Sequence, residues 1–278
     1  MLTQRTDGPP STSSRIAGLA RSCHPGPSAA VTMLSVAFAI ASGLTTARLV
    51  LVALAVLTGQ LSIGWANDLI DVDRDRAVGR SDKPLANGDV VLGTARVACG
   101  LALLATVVLS LACGPVAGLI HLGCVAAGWS YNLGVKSTVL SWVPYAVAFA
   151  GLPVFITLAP PGAGPPPWWV PTAGALLGVG AHLLNVLPDL DDDAATGVRG
   201  LAHRLGHRSA SVLAVICLVS ASVLLAVGAQ DESLLTSAAA LVVVALLAVL
   251  ALRGHGKIPF RAAIGIALAD VILLVVSG

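Results

Sequence analysis

Charge is scarce in this sequence. Asp, Glu, Lys and Arg make up only 11% of the 278 residues, against 56% hydrophobic, a balance that excludes an ordinary soluble domain. Glutamate is nearly missing: of 14 acidic residues only Glu232 is not aspartate. The five cysteines (23, 99, 113, 124 and 217) show no CxxC spacing, so neither a zinc site nor a disulfide framework is expected. Gly-rich phosphate loops, Walker motifs and nucleic-acid signatures are absent, and nucleic acid is not an expected partner. No apolar stretch directly follows Met1, so the start does not read as a secretory signal peptide.

Long apolar runs are what the chain has instead. A membrane-spanning helix needs about 20 mostly apolar residues. Such runs recur at 28–43, 47–67, 91–112, 115–131, 139–158, 169–187, 208–228, 233–252 and 260–277. They predict an all-α integral membrane protein, a single bundle of about nine transmembrane helices, because lipid offers no partner to open backbone groups. Residues 1–14 are polar and turn-rich and read as a disordered tail, leaving 15–278 as the membrane domain. Arg15–Arg21 suits a membrane interface, and His24–Pro27 breaks the chain before the first span. With the N-terminus inside, 15 of the 16 basic residues fall on the inner side and only Arg48 outside. That is the positive-inside bias, and it places the N-terminus in the cytoplasm. The outer segments are short or Pro-rich, and Trp168 and Trp169 suit an interfacial belt.

The few acids are concentrated. Ten of the 14 lie in two inner segments, six between Asp68 and Asp89 and four in Asp189–Asp193. In the first, Asn67, Asp71 and Asp75 recur every fourth residue with Asp68 beside them, so a helix places them along one face. Carboxylates stacked this way repel unless a positive charge sits between them. A hard divalent cation such as Mg²⁺, often shared with a substrate phosphate, resolves that repulsion. In a soluble protein such a cluster is more often a solvated helix end; here it abuts apolar spans. The second segment repeats the first. Asn67-x₃-Asp71-x₃-Asp75-x₃-Gly79 matches Asn185-x₃-Asp189-x₃-Asp193-x₃-Gly197, and basic residues follow each: Arg80 and Lys83, then Arg199 and Arg204. A weak internal repeat accounts for four matched positions better than coincidence between two helix ends.

These residues carry a resemblance. Asn67-Asp68-x₂-Asp71-x₃-Asp75 with the following DKPLANG resembles the first aspartate-rich motif of the UbiA superfamily of intramembrane prenyltransferases. Asp189-x₃-Asp193 with TGVRGLAHRLG resembles the second, and Tyr131–Lys136 is similar to a Tyr/Lys segment of an inner loop in that family. One departure is visible: some members carry a further acid three residues before the second motif, where this chain has Val186. The resemblance covers about residues 20–278. It implies Mg²⁺ held by Asn67, Asp68, Asp71, Asp75, Asp189 and Asp193. It also implies a prenyl diphosphate clamped by residues among Arg76, Arg80, Lys83, Lys136 and Arg199, with Asp71, Asp189, Lys136 and Tyr131 central to catalysis. The prenyl group then passes to a small-molecule acceptor, aromatic or otherwise polar-headed. His182, Asn185 and Asp192 are candidates to line its pocket, although His182 reads equally well as a buried, hydrogen-bonded histidine. His203 and His207 read as solvated. Asp270, in the last span, is expected to face the interior or a cavity.

Two other readings compete. A terpene cyclase on the same scaffold would fold the ionised chain onto itself, but such pockets favour aromatic walls and only 4% of the chain is aromatic. A transporter built from repeats would set its acids near mid-membrane, whereas these sit at span ends.

Overall fold

Every regular element among the described residues of this computed structural model is helical, and those residues are 12–195, 197–228 and 234–277. Residues 1–11 of the polar tail, the outer segment Gln230–Glu232 and the Asp191 side chain lie outside the described residues. The order is α1 (Thr12–Arg21), α2 (Pro25–Ala41), α3 (Thr46–Ala77), α4 (Pro84–Asn87), α5 (Leu92–Ala112), α6 (Pro115–Asn132) and α7 (Val143–Leu158). It continues with α8 (Trp169–Val186), α9 (Leu190–Ala195), α10 (Leu201–Gly228), α11 (Leu234–Arg253) and α12 (Ile258–Ser277). Each of the nine apolar runs falls on one of these helices. Five of them are long and apolar enough to cross a membrane by length and composition. Thr12–Ser14, placed in the tail from sequence, form the start of α1.

Proline at the first turn opens α2, α4, α6 and α7, where a missing N–H is harmless. His24 stands before α2 at φ 54°, which makes the break between α1 and α2. Consecutive helices pack on one another, α3 on α2 and α5, α7 on α6 and α8, α10 on α8 and α11, and α12 returns to α2 and closes the ring. Small residues permit the closest approaches. A Cβ on Gly178 of α8 would lie 2.5 Å from the Tyr145 carbonyl oxygen of α7, the close backbone contact that membrane helices use in place of a hydrophobic drive.

Polarity is inverted relative to a soluble protein. Leu101, Leu104 and Val108 on α5 and Leu246 on α11 are exposed, while Asp68, Asp71, Asp75, Lys136, His182 and Asp270 are buried. An apolar outer surface of this extent needs lipid, and the chain is a multi-pass integral membrane protein. The α1 helix packs against α4 instead of standing free, Trp65 Nε1 of α3 donates to its Leu19 carbonyl at 2.9 Å, and Arg21 reaches Asp89 just after α4 at 3.6 Å.

Two helix ends position the site. The 32-residue α3 runs past its apolar part and carries the first acidic motif on one unbroken helix. In the second half Pro188, which lacks an N–H and clashes with the preceding turn, forces a 3₁₀ turn at Leu187–Asp189. Asn185, Asp189 and Asp193 therefore lie on α8, that turn and α9 rather than on one helix face. Both segments nevertheless end alike: Gly79 and Gly197 take φ of 69° and 82°, a left-handed conformation natural to glycine. The fourth matched position of the repeat is thus matched in backbone as well as in residue type.

Candidate active site

The C-terminal end of α3 presents Asp68, Asp71 and Asp75, only 2%, 6% and 5% exposed. Buried carboxylates at helical spacing require compensation, and cations from other elements supply it. Lys83, in the loop before α4, donates from Nζ to Asp68 Oδ1 at 2.7 Å, and His24 Nε2 lies 2.9 Å from the same oxygen. Lys136 reaches across from the 3₁₀ turn after α6 and donates to both oxygens of Asp71 at 2.7 and 2.6 Å. Arg74 Nη2 adds 2.8 Å to Asp71 Oδ2. Burial pulls the Lys136 ammonium below the ordinary lysine range, opposed by its bond to Asp71. Asn67 donates to Asn132 Oδ1 of α6 at 3.0 Å, and Asn132 in turn donates to the Ile63 carbonyl at 2.9 Å.

The second segment converges on the same cations. Asp193 interacts electrostatically with Lys136, Arg74 and Asp189, and burial raises its carboxyl above the usual range. His203 Nε2 stands 3.7 Å from Asp193 Oδ2. Asp189 is half exposed and faces Arg80 at 3.9 Å. Arg80 is held chiefly by Asp82 through two 2.9 Å hydrogen bonds, and that fork lowers the Asp82 carboxyl to about 2. Acids from both halves thus share Lys136 and Arg74, the first on the α3 side and the second on the α9 side.

Behind Lys136 and Asp193 a small pocket is lined by Tyr131, Ser141, His182 and His203 among others. Rings continue from it into the bundle. Tyr131 meets His182 edge-on at 5.6 Å, His182 lies 4.7 Å from Tyr145, and Tyr145 stacks with Phe149 at 6.4 Å. The His182 tautomer follows from its partner. The Leu201 N–H donates to Ser141 Oγ at 3.0 Å, and Ser141 Oγ lies 3.1 Å from His182 Nε2. Ser141 is fully buried, so its proton is satisfied only by pointing at Nε2. That leaves the ring proton on Nδ1, a buried atom with no hydrogen-bond partner among the described residues. His182 is therefore a poised donor.

Several residues stand apart from the expectation. Arg76 is turned to α4, where it meets the Ala86 and Leu85 carbonyls at 3.4 and 3.5 Å. Arg199 and Asp192 are exposed. Asn185 interacts with the Tyr145 hydroxyl, which sets it beside the ring series as Asn67 is set beside α6. His203 is not solvated: its side chain is 8% exposed and faces Asp193, because the break at Gly206 (φ 74°) turns the start of α10 inward; His207 is exposed. Arg74 and His24 join the site without a motif to mark them. Arg74 at i+3 from Asp71 was detectable as an intrahelical pair, whereas His24 meets Asp68 only through the fold.

The donor set fits a hard divalent cation. All its atoms are oxygens, and Asp75, though buried, makes no side-chain hydrogen bond or ion pair among the described residues. No group of three or more His, Cys, Asp or Glu converges closely enough among the described residues to hold a metal as arranged, and Lys83 and Lys136 occupy Asp68 and Asp71.

Known proteins share this architecture. A UbiA homologue from Aeropyrum pernix K1 superposes with a TM-score of 0.74 at 21% identity, covering 88% of this chain and 97% of that one. A UbiA homologue from Archaeoglobus fulgidus, bound to GPP and Mg²⁺, gives 0.71 at 16% identity, covering 94% and 99%. At these identities the likeness shows the fold. The 4-hydroxybenzoate octaprenyltransferase of Pseudomonas putida (strain W619) is 26% identical over 190 residues, 68% of this chain and 64% of that protein's length. Residues 28–263 match the model of the UbiA prenyltransferase family, and with the two acidic segments meeting in that fold the chain belongs to this family.

Proposed function

We propose that this protein is a Mg²⁺-dependent intramembrane prenyltransferase. It moves the prenyl group of a polyprenyl diphosphate to a small acceptor, aromatic or otherwise polar-headed. The observation that carries the reading is the meeting of two acidic segments around Lys136 and Arg74 at the inner end of an apolar bundle. A diphosphate is the ligand for that mixture of acids and cations, and a prenyl tail is the ligand for the apolar interior beyond it. The nine-span arrangement, with N-terminus and acidic segments on the cytoplasmic side, belongs to the same proposal and rests on the basic-residue asymmetry.

Asn67, Asp68, Asp71 and Asp75 would hold metal from one side and Asp189 and Asp193 from the other. Bound Mg²⁺ supplies charge neutralisation for the diphosphate as the allylic C–O bond breaks. The chain's own residues do the rest. Lys83 and Lys136 exchange their carboxylate contacts for phosphate oxygens and hold the leaving group, whose bonding pair departs with it. Arg80, tied to Asp82 and facing Asp189, closes the rim. Tyr131 and Tyr145 place their rings beside C1 and exclude water from it. His182 donates from Nδ1 to an oxygen of the acceptor and orients it, the acceptor supplies the electron pair for the new bond to C1, and the proton it loses passes to the diphosphate or to solvent.

The relative from Pseudomonas putida is named for 4-hydroxybenzoate, which makes hydroxybenzoates the first acceptors to try. Purified protein is given Mg²⁺ and prenyl diphosphates of increasing length, alone and then with phenolic, quinone-precursor and polyol acceptors. Product forms only when acceptor is present, and diphosphate alone gives at most slow hydrolysis. Rapid release of a cyclic hydrocarbon from diphosphate alone would mean a cyclase on this scaffold.

A further inference from the structure

The two halves of the chain treat their cations differently. Between Arg21 and Lys136, six cations have an aspartate within ion-pair distance, as Lys83 has Asp68 and Arg74 and Lys136 have Asp71. In the second half Arg204, Arg208, Arg253, Lys257 and Arg261 are all exposed. None of these five makes an ion pair or a side-chain hydrogen bond among the described residues. Residues 194–230 and 233–269 contain no Asp or Glu at all, so neither α10 nor the turn from α11 to α12 supplies a counter-charge.

Packing gathers the five at the end of the bundle that carries the acidic site. Leu205 and Ala210 of α10, Ala251 of α11 and Ala262 of α12 belong to one core cluster, which also holds Leu187 beside the second acidic segment. Arg204 and Arg208 lie on either side of Leu205, Arg253 ends α11, Lys257 stands in the turn and Arg261 is in the first turn of α12. Like charges gathered without a counter-charge repel. The bias that keeps basic residues on one side of a membrane acts on both halves and does not require one of them to lack acids.

The helices continue from these cations into exposed aliphatic strips. Val212 and Ile216 follow Arg208 at i+4 and i+8, Leu268 and Ile272 follow Arg261 at i+7 and i+11, and Val249 and Leu250 precede Arg253 by four and three residues. Those six side chains are 44–55% exposed, and the spacings set each on the face of its cation. A soluble anion would use the cations alone, whereas a phospholipid with a negative headgroup uses both.

We propose that the ends of α10, α11 and α12 form a docking surface for anionic phospholipids of the surrounding bilayer. The headgroup phosphates sit on Arg204, Arg208, Arg253, Lys257 and Arg261, and the acyl chains lie along the aliphatic strips. None of these residues belongs to the diphosphate site, so the surface is tested without turnover.

The intact protein in uncharged detergent micelles at low salt is titrated with dioleoyl phosphatidylglycerol, dioleoyl phosphatidylcholine and soluble glycerol phosphate. Apparent Kd values are read from shifts in unfolding temperature. Each cation engaged adds about fivefold in affinity, so one or two of them favour phosphatidylglycerol over phosphatidylcholine by about five- to thirtyfold. Raised salt weakens that preference, and glycerol phosphate gives no comparable shift. Replacing Arg208, Arg253, Lys257 and Arg261 together by Gln abolishes the preference, whereas Arg208→Lys, Arg253→Lys and Arg261→Lys combined retain it. Single Gln substitutions on these exposed, unpaired side chains lower it stepwise, so the test does not depend on the fourfold variant folding. Equal affinity of the wild type for the two lipids, a preference indifferent to salt or to the Gln substitutions, or a glycerol phosphate shift matching that of phosphatidylglycerol would each overturn the proposal.

Discussion

Lys136 and Asp71 form the contact on which the proposed chemistry turns, because on that reading a metal and a lysine compete for the same carboxylate. Removing one partner of a buried ion pair costs about 3–5 kcal/mol, so Lys136→Met should lower the unfolding temperature sharply in the absence of divalent ions. Mg²⁺ should then restore much of the loss, since a cation that binds the folded state stabilises it by mass action. Thermal unfolding with and without Mg²⁺ measures both, and a variant indifferent to Mg²⁺ would remove Asp71 from the metal ligands. His182 offers a different signature. Its Nδ1 proton is fixed by Ser141 and Leu201, so His182→Phe keeps the ring stack and loses one donor. We expect a rise in KM for acceptor of about tenfold with diphosphate binding unchanged. A parallel loss of diphosphate affinity would place His182 on the phosphate instead.

Helix ends, more than helix existence, mark where the sequence was legible and where it was not. The Asn67, Asp71, Asp75 face followed from local periodicity alone, and α3 carries it as expected. The second motif kept its spacing but not its helix. Pro188, legible in the sequence, keeps the second motif off a single helical face. His24, Lys83 and Lys136 come from loops distant in sequence, and their partners are decided by how α1, α4 and α7 pack, which no local pattern encodes. His203 looked solvated because its neighbours are basic and polar, yet the break at Gly206 turns it toward Asp193. Packing of α8 gives an element-level test. Gly178→Leu would drive a side chain into Tyr145 and Phe149 of α7, displacing the ring series and lowering both stability and activity. Gly93→Ala on α5 meets nothing within 4 Å and should be neutral or stabilising by about 0.5–1 kcal/mol. Unfolding temperatures of the two variants decide it, and equal effects would contradict the packing described.

The whole molecule is an inside-out bundle whose two halves meet at one end, and the proposed orientation rests on charge. Cysteines introduced at Gly79 and Gly256 should react with membrane-impermeant reagents only from the cytoplasmic side, and one at Gly162 only from the opposite side. A cytoplasmic Gly162 would mean that a span is miscounted. The central claim is that the two acidic segments form a single diphosphate site. Its most direct measurement is a double-mutant cycle across the halves, reading Mg²⁺-dependent affinity for a non-reactive prenyl thiolodiphosphate in wild type, Asp71→Asn, Asp193→Asn and the double variant. Residues acting as one unit are non-additive. Each single substitution should therefore abolish most of the Mg²⁺-dependent affinity, and the double should be scarcely worse than either. Losses that simply add, or an Asp193→Asn protein that binds like wild type, would contradict it.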